Sequence, residues 1–274
     1  MPKIAAVQLN SGADIQANFI SIEQWVACAA KQGAGLVVLP EMVIGCGLTQ
    51  AQLSSLAEPF GQGPIQQRFS ALAKRYKIWL VVGSIPLKAI CPEKIRSACL
   101  VYDDQGNSIA RYDKIHLFDV TLGKDSEVYR ESDHVEAGDA FTVLDTPFGR
   151  LGLAICYDIR FPELFRNFFR LGVEIIAIPA AFTVPTGQAH WETLLRARAI
   201  ENFSYVIGAG QWGTHANGRN TYGNSMIVDP WGKIVAHLVD GSGIICHSID
   251  REYLLEIRRN FPVLEQQKIF NIHQ

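Results

Sequence analysis

The sequence predicts an α/β protein of two packed sheets, each covered on its outer face by helices. Three observations lead there. Short apolar runs alternate with amphipathic helical stretches in both halves of the 274-residue chain, as in βαβ units. Both halves also contain hairpins. Strands outnumber helices, which favours two packed sheets with helices outside them.

Taken in order, Lys3 to Leu9 alternates as a strand. Asp14 is placed to cap a helix, and Ile15, Phe19, Ile22, Val26 and Ala29 recur at helical spacing as far as Lys31. Gly33 and Gly35 end that helix, and Leu36–Leu39 is a buried strand. Pro64 to Lys77 is an amphipathic helix, followed by a buried strand over Ile78–Ile85. Leu100–Tyr102 and Ser108–Tyr112 flank a turn and form a hairpin. The segment from Leu117 to Gly138 is polar and irregular, and too long for a mere connector.

The second half repeats this logic. Leu151–Ile155 is a buried strand, and Pro162–Leu171 is a helix with proline and Glu163 in its first turn. Glu174–Ile178 is a strand. Gln188 to Asn202 is a helix with Trp191, Leu194, Leu195 and Ala199 on one side. Ser204–Ala209 is a strand. Asn224–Val228 and Lys233–Leu238 form a hairpin around Asp229-Pro230-Trp231-Gly232. Ile244–Ile249 is the last strand, and Asp250 caps a final helix.

Composition narrows the function. A hydrophobic fraction of 48% supports a substantial core, and no linker divides it, so residues 1–274 read as a single domain. A formal charge of −2 gives no electrostatic reason to expect nucleic acid or an anionic membrane. No apolar run approaches the roughly 20 residues that span a bilayer. Met1-Pro2-Lys3-Ile4 runs straight into a strand, without the pattern of a signal peptide. The cysteines Cys28, Cys46, Cys91, Cys99, Cys156 and Cys246 are irregularly spaced, as expected of reduced thiols in the cytoplasm. No Cys-x-x-Cys or His-x-x-x-His occurs, so neither a metal nor another cofactor is expected.

Three residues carry the chemistry. Cys156 ends the run Leu151–Ile155 and precedes Pro162-Glu163, so it lies at a sharp strand-to-helix turn. Such a turn projects a nucleophile, and its backbone N–H groups can face developing negative charge. Glu41 follows the strand that ends at Leu39, and Lys114 follows the strand that ends at Tyr112. Open α/β folds gather their sites at such carboxyl edges. Taken singly, each has a plainer explanation: a core cysteine, a capping carboxylate, a solvated lysine. Their joint placement is what points to a site.

The segments Val38-Leu39-Pro40-Glu41-Met42, Tyr112-Asp113-Lys114-Ile115-His116-Leu117-Phe118 and Cys156-Tyr157-Asp158-Ile159-Arg160-Phe161-Pro162-Glu163 resemble the three signatures of the nitrilase superfamily of carbon–nitrogen hydrolases. The resemblance runs from Ile4 to about Val263. Further segments, Phe182 to Gly187, His190-Trp191-Glu192, Leu195 to Glu201 and Asp229 to Gly232, resemble the branch of amidases acting on deaminated glutathione.

The resemblance implies a four-layer α-β-β-α sandwich of two packed mixed sheets, with a Glu41-Lys114-Cys156 triad. It implies that Glu131 is a second glutamate paired with Lys114. Lys114 and the backbone N–H of Tyr157 would hold the oxyanion, and the ammonium would also favour thiolate character at Cys156. Arg160 would anchor a substrate carboxylate, with Phe182 and Thr186 lining the same pocket; its plainer role is a salt bridge to Asp158 or Glu163. His190, Trp191 and Glu192 are expected to support the fold.

The implied partner is a small acidic amide, and the implied assembly is a homodimer or larger homo-oligomer. Phe165, Phe168, Phe169 and Leu171 would sit at that interface, because three phenylalanines on one short helix exceed the needs of one inner face. An omega-amidase acting on small keto-acid amides is the nearest alternative, and nitrile hydrolysis is a weaker one. A silent interaction protein on the same scaffold is the alternative from another class. A papain-like Cys/His hydrolase finds no suitably placed histidine.

Overall fold

The computed structural model describes residues 1–122 and 127–268; residues 123–126 and 269–274 lie outside that description. Two six-stranded mixed sheets are present among the described residues. The first contains β1 (Lys3–Gln8), β2 (Ala34–Val38), β3 (Trp79–Lys88), β4 (Ile95–Tyr102) and β5 (Ser108–Asp113). A short ribbon follows, β6 (Asp119–Leu122) with β7 (Glu127–Arg130). The second sheet contains β8 (Thr142–Thr146), β9 (Gly149–Leu153), β10 (Ile175–Ala180) and β11 (Tyr205–Gly210). Another ribbon, β12 (Trp212–Thr214) with β13 (Asn220–Tyr222), precedes β14 (Ser225–Val228) and β15 (Ile234–Leu238). The last strand, β16 (Gly243–Ser248), returns to the first sheet. The strand orders are β16-β1-β2-β3-β4-β5 and β15-β14-β11-β10-β9-β8.

The layering follows from the period of two along a strand. On β1, Ile4 and Ala6 face the core shared with Leu151, Leu153 and Ile175 of the second sheet. Ala5 and Val7 face the other way, onto Phe19, Ile22 and Val26 of α1 (Ile15–Lys31). The short helix α2 (Gln50–Leu56) buries none of its residues, whereas α3 (Pro64–Tyr76) adds Ile65 and Phe69 to the core beneath α1. On the far side, α4 (Pro162–Arg170) and α6 (Glu192–Asn202) cover the second sheet through Phe165, Phe168, Leu195 and Ala199. This is the expected α-β-β-α sandwich.

The helix termini are built as the sequence suggested. Asp14 Oδ1 accepts from the N–H groups of Gln16 and Ala17, and Asp250 caps α7 (Arg251–Asn260) through Tyr253 N–H. Residues 184–202 form one unbroken helical run, in which α5 (Val184–Thr186) passes into α6 through a π segment over Gly187–Trp191. That wider turn accompanies an inserted indole: Trp191 is buried, and its Nε1 donates to Asn224 O at 2.8 Å. A Cβ at Gly187 would lie 2.2 Å from the Tyr222 ring, so only glycine fits there. The chain closes with α8 (Val263–Gln266).

Two expectations need correction. The phenylalanines of α4 are not surplus to the fold. Phe165 and Phe168 are fully buried in the main core, and Phe169 packs with Phe203 and Ile257 in a cluster closed by α7. Only Leu171 of that group stays exposed, at 41%. The main core takes up Phe165 and Phe168 and α7 covers Phe169, so those rings give no support to a homodimer. The segment from Leu117 to Gly138 is also more regular than expected, since β6, β7 and a 310 turn over Glu131–Asp133 lie within it. All six cysteines are free thiols. Among the described residues no helix is long and apolar enough to cross a membrane.

Candidate active site

β2 runs parallel to β3, and two antiparallel pairings make β5 point the same way. Glu41 and Lys114 therefore leave the same edge of the first sheet. The turn carrying Glu41 seats in a bulge of β3: Met42 N–H donates to Ser84 Oγ at 2.9 Å, and Val43 N–H to Ser84 O at 3.2 Å. A Cβ at Gly83 would lie 1.7 Å from Pro40 O, so glycine is required for this approach. From the second sheet, Gln211 Nε2 donates to Glu41 O at 3.0 Å. Met42 is held at φ 52°, a left-handed conformation that costs a non-glycine residue energy.

Cys156 is the second left-handed residue here, at φ 47°. Asp158, fully buried, holds its turn together. Asp158 Oδ2 accepts from Ile155 N–H at 2.8 Å and from the Tyr112 hydroxyl at 2.7 Å. Asp158 Oδ1 lies 2.7 Å from His116 Nδ1, and His116 stacks on Phe161 with centroids 3.6 Å apart. The buried Arg198 adds a bond from Nε to Ile159 O at 2.9 Å. The elbow is thereby pinned by strands and helices of both halves.

At the centre, Lys114 Nζ donates to Glu41 Oε1 at 2.8 Å and to both Glu131 oxygens at 2.8 and 3.0 Å. Glu131 is oriented in turn by Phe118 N–H, 2.6 Å from its Oε2. The Cys156 thiol is close enough to the Glu41 carboxylate and the Ala181 backbone for both to act on its pKa. Burial, the largest single influence on Lys114, disfavours its charge, but Glu131, Glu41 and Cys156 together outweigh it and hold the ammonium pKa well above the usual lysine range.

Lys114 pulls the Cys156 thiol toward the thiolate, as expected, but other influences outweigh it. Burial and the neighbouring Glu41 carboxylate push its thiol pKa well above the usual range, against the opposing pull of Lys114 and Ala181. The resting group is a neutral thiol, chiefly because burial disfavours the thiolate.

A cavity of about 440 Å³ opens onto this cluster, with Glu41, Lys114, Glu131, Cys156, Tyr157, Phe182 and Thr186 in its wall. Arg160 is not among the residues that line the cavity; it stands beside Phe182, which is. Its guanidinium lies 5.4 Å from the Phe182 ring centroid and 3.3 Å from His190 Nδ1. Among the described residues it makes no ion pair with Asp158 or Glu163, because Asp158 is committed to Tyr112, Ile155 and His116. Sequence reasoning missed two residues at the site. Gln211 positions the Glu41 turn, and Arg219 lines the cavity from the loop between β12 and β13. Neither lies in a sequence signature, and both reach the site only through tertiary folding. No group of three His, Cys, Asp or Glu side chains among the described residues can hold a metal ion.

A four-layer sandwich with such a cavity at its strand ends is the architecture of carbon–nitrogen hydrolases, and the model of the family described as carbon-nitrogen hydrolase matches residues 3–259. The chain belongs to that family, within the nitrilase superfamily, and is a hydrolase of carbon–nitrogen bonds other than peptide bonds. It is 43% identical over 266 residues to the deaminated glutathione amidase of Yersinia enterocolitica, covering 97% of this chain and 92% of that protein. The structure of Nit3 from Saccharomyces cerevisiae, a member of branch 10 of the nitrilase superfamily, superposes with a TM-score of 0.87 at 33% identity, covering 98% and 97% of the two chains. The amidase from Nesterenkonia sp. AN1 superposes with a TM-score of 0.78 at 27% identity, over 95% of this chain and all of that one. Its Glu-to-Gln variant shows acrylamide added in Michael fashion to the active-site cysteine.

The protonation state of Cys156 has a measurable consequence. Alkylation follows the thiolate fraction, so iodoacetamide should label Cys156 slowly at neutral pH, with the rate rising beyond the ordinary thiol pKa of about 8.5. Glu41→Gln removes a charge that raises the thiol pKa while leaving Lys114, which lowers it. The labelling profile of that variant should shift to lower pH, as read by peptide mass spectrometry across a pH series. A wild-type profile breaking below the ordinary thiol value would mean a resting thiolate.

Proposed function

We propose that the protein cleaves an acidic amide through a Cys156 thioester, with deaminated glutathione as the substrate. The observation that carries this reading is Lys114 Nζ bridging Glu41 and Glu131 beside the buried thiol. Glu41 accepts the thiol proton as sulfur attacks the amide carbonyl carbon. Lys114 and Tyr157 N–H face the developing oxyanion; the first N–H groups of a helical turn lack acceptors within it, and Tyr157 lies in the 310 turn Cys156–Arg160. Glu41 then gives its proton to the departing nitrogen as the carbon–nitrogen bond breaks. Water attacks the thioester and leaves a proton on Glu41, and the acid departs as the thiol is restored. The overall reaction takes deaminated glutathione and water to α-ketoglutarate and cysteinylglycine.

Glu131 acts by fixing the ammonium rather than by moving protons. Arg160, beside Phe182, is assigned to the carboxylate of the acyl half, with Phe182 and Thr186 in the cavity wall. The likeness to the Yersinia enterocolitica protein supports the choice of substrate. Release of cysteinylglycine or ammonia across a panel of keto-acid amides tests it. Preference for a primary keto-acid amide would make the protein an omega-amidase.

Arg160→Ala is expected to lower kcat/KM for substrates with an acyl-side carboxylate by roughly 10–100-fold, the scale of a charge-assisted hydrogen bond, and to spare neutral amides. Arg160→Lys keeps the charge but loses the planar fork, so it should recover only part of the activity. An equal loss on both substrate classes would make Arg160 structural.

A further inference from the structure

Arg219 lines the cavity, and among the described residues no carboxylate forms an ion pair with it. Arg219 follows Gly218 in the loop between β12 and β13. The loop is tied down at its base: His215 N–H donates to Arg219 O at 2.9 Å, and Asn217 Oδ1 accepts from Arg219 N–H at 3.1 Å. The buried His215 ring is held between Ser11 O at 3.1 Å and Thr221 Oγ1 at 2.7 Å. The backbone beneath Arg219 is thus set before any ligand arrives.

Its head group is only partly satisfied. Nη2 donates to Ala181 O at 2.6 Å, and Nη1 lies 3.9 Å from Met42 Sδ, a weak acceptor. The guanidinium carbon lies 5.8 Å from the Tyr129 ring centroid. Nε is buried and has no hydrogen-bond partner. Among the described residues Arg219 forms no ion pair, while Glu41 and Glu131 are both taken by Lys114. A buried donor without an acceptor, on a cation without a direct ion pair, is costly unless a ligand completes it. A carboxylate suits a guanidinium because it can accept from two N–H groups of the fork.

We propose that Arg219 binds a carboxylate on the amine half of the substrate, separate from the carboxylate assigned to Arg160. This rests on the amidase reading above and deepens it. The side follows from placement. Arg219 lies against Met42, next to Glu41, which protonates the departing nitrogen; Arg160 lies over the rings of Tyr157 and Phe182. The enzyme then selects amides charged at both ends, and Arg219 is a specificity residue with no part in the bond changes.

The test uses two substrates with the same α-ketoglutaryl half, one bearing cysteinylglycine and the other its terminal carboxamide. Wild-type kcat/KM should favour the free carboxylate by roughly 10–100-fold, the scale of a charge-assisted hydrogen bond. Arg219→Ala should erase that preference while changing the carboxamide substrate by less than about threefold, and Arg219→Lys should keep part of it. Arg160→Ala should lower both substrates alike. The lysine variant keeps the question open to measurement if the alanine variant misfolds. An equal fall on both substrates in Arg219→Ala and Arg219→Lys would make Arg219 a general neutralising charge and overturn the proposal. Wild type cleaving both substrates equally would overturn it while leaving the amidase reading intact. Cleavage of neither would remove the reading on which it rests, and the proposal with it.

Discussion

Cys156→Ala is expected to abolish turnover while leaving the protein folded and able to bind substrate. The sulfur is the attacking atom in the proposed reaction. Alanine keeps the Cβ, so the left-handed backbone at this position is neither relieved nor worsened. The elbow is held by Asp158, Tyr112 and Arg198, none of which bonds to sulfur. Thermal midpoints of variant and wild type should therefore agree within about 2 °C, the shift expected for a few tenths of a kcal/mol. Calorimetry with the keto-acid amide should show binding without heat of turnover. Residual turnover near the wild-type rate would mean that another group attacks the carbonyl.

Lys114→Met is expected to damage both rate and stability. Methionine approximates the stem but removes the charge that bridges Glu41 and Glu131. Loss of one oxyanion donor typically costs about 10²–10³ in kcat. The two carboxylates would then face each other without a cation between them. Stranding a buried charge costs about 3–5 kcal/mol, and less is expected here because Glu131 retains 21% side-chain exposure. Single-turnover kinetics and a denaturant titration separate the two effects. A change confined to KM would show that the ammonium only binds substrate.

How far the sequence reaches can be judged element by element. The alternation of Lys3–Gln8, the Asp14 cap and the Asp250 cap are local patterns, and each was legible without coordinates. The strand β8 was not, because its residues are half-buried and present no apolar run. The β12–β13 ribbon has three residues on each side, too few for a period to register. The π turn before α6 depends on where an indole must reach, which periodicity does not encode.

The same division holds at the site. By itself the sequence determined where Glu41, Lys114 and Cys156 stand on their strands, since a strand end and a sharp turn are defined by a few adjacent residues. It also determined the family resemblance, through three short signatures in order. Only the tertiary structure decided that Lys114 Nζ joins both glutamates, that the Cys156 thiol stays protonated, and that α7 covers Phe169. It alone brought Arg219 beside Met42, 177 residues away in sequence. The physical reason is range. Apolar periodicity is set by near neighbours along the chain, whereas charge state and hydrogen-bond satisfaction depend on every group that folding places within a few ångströms.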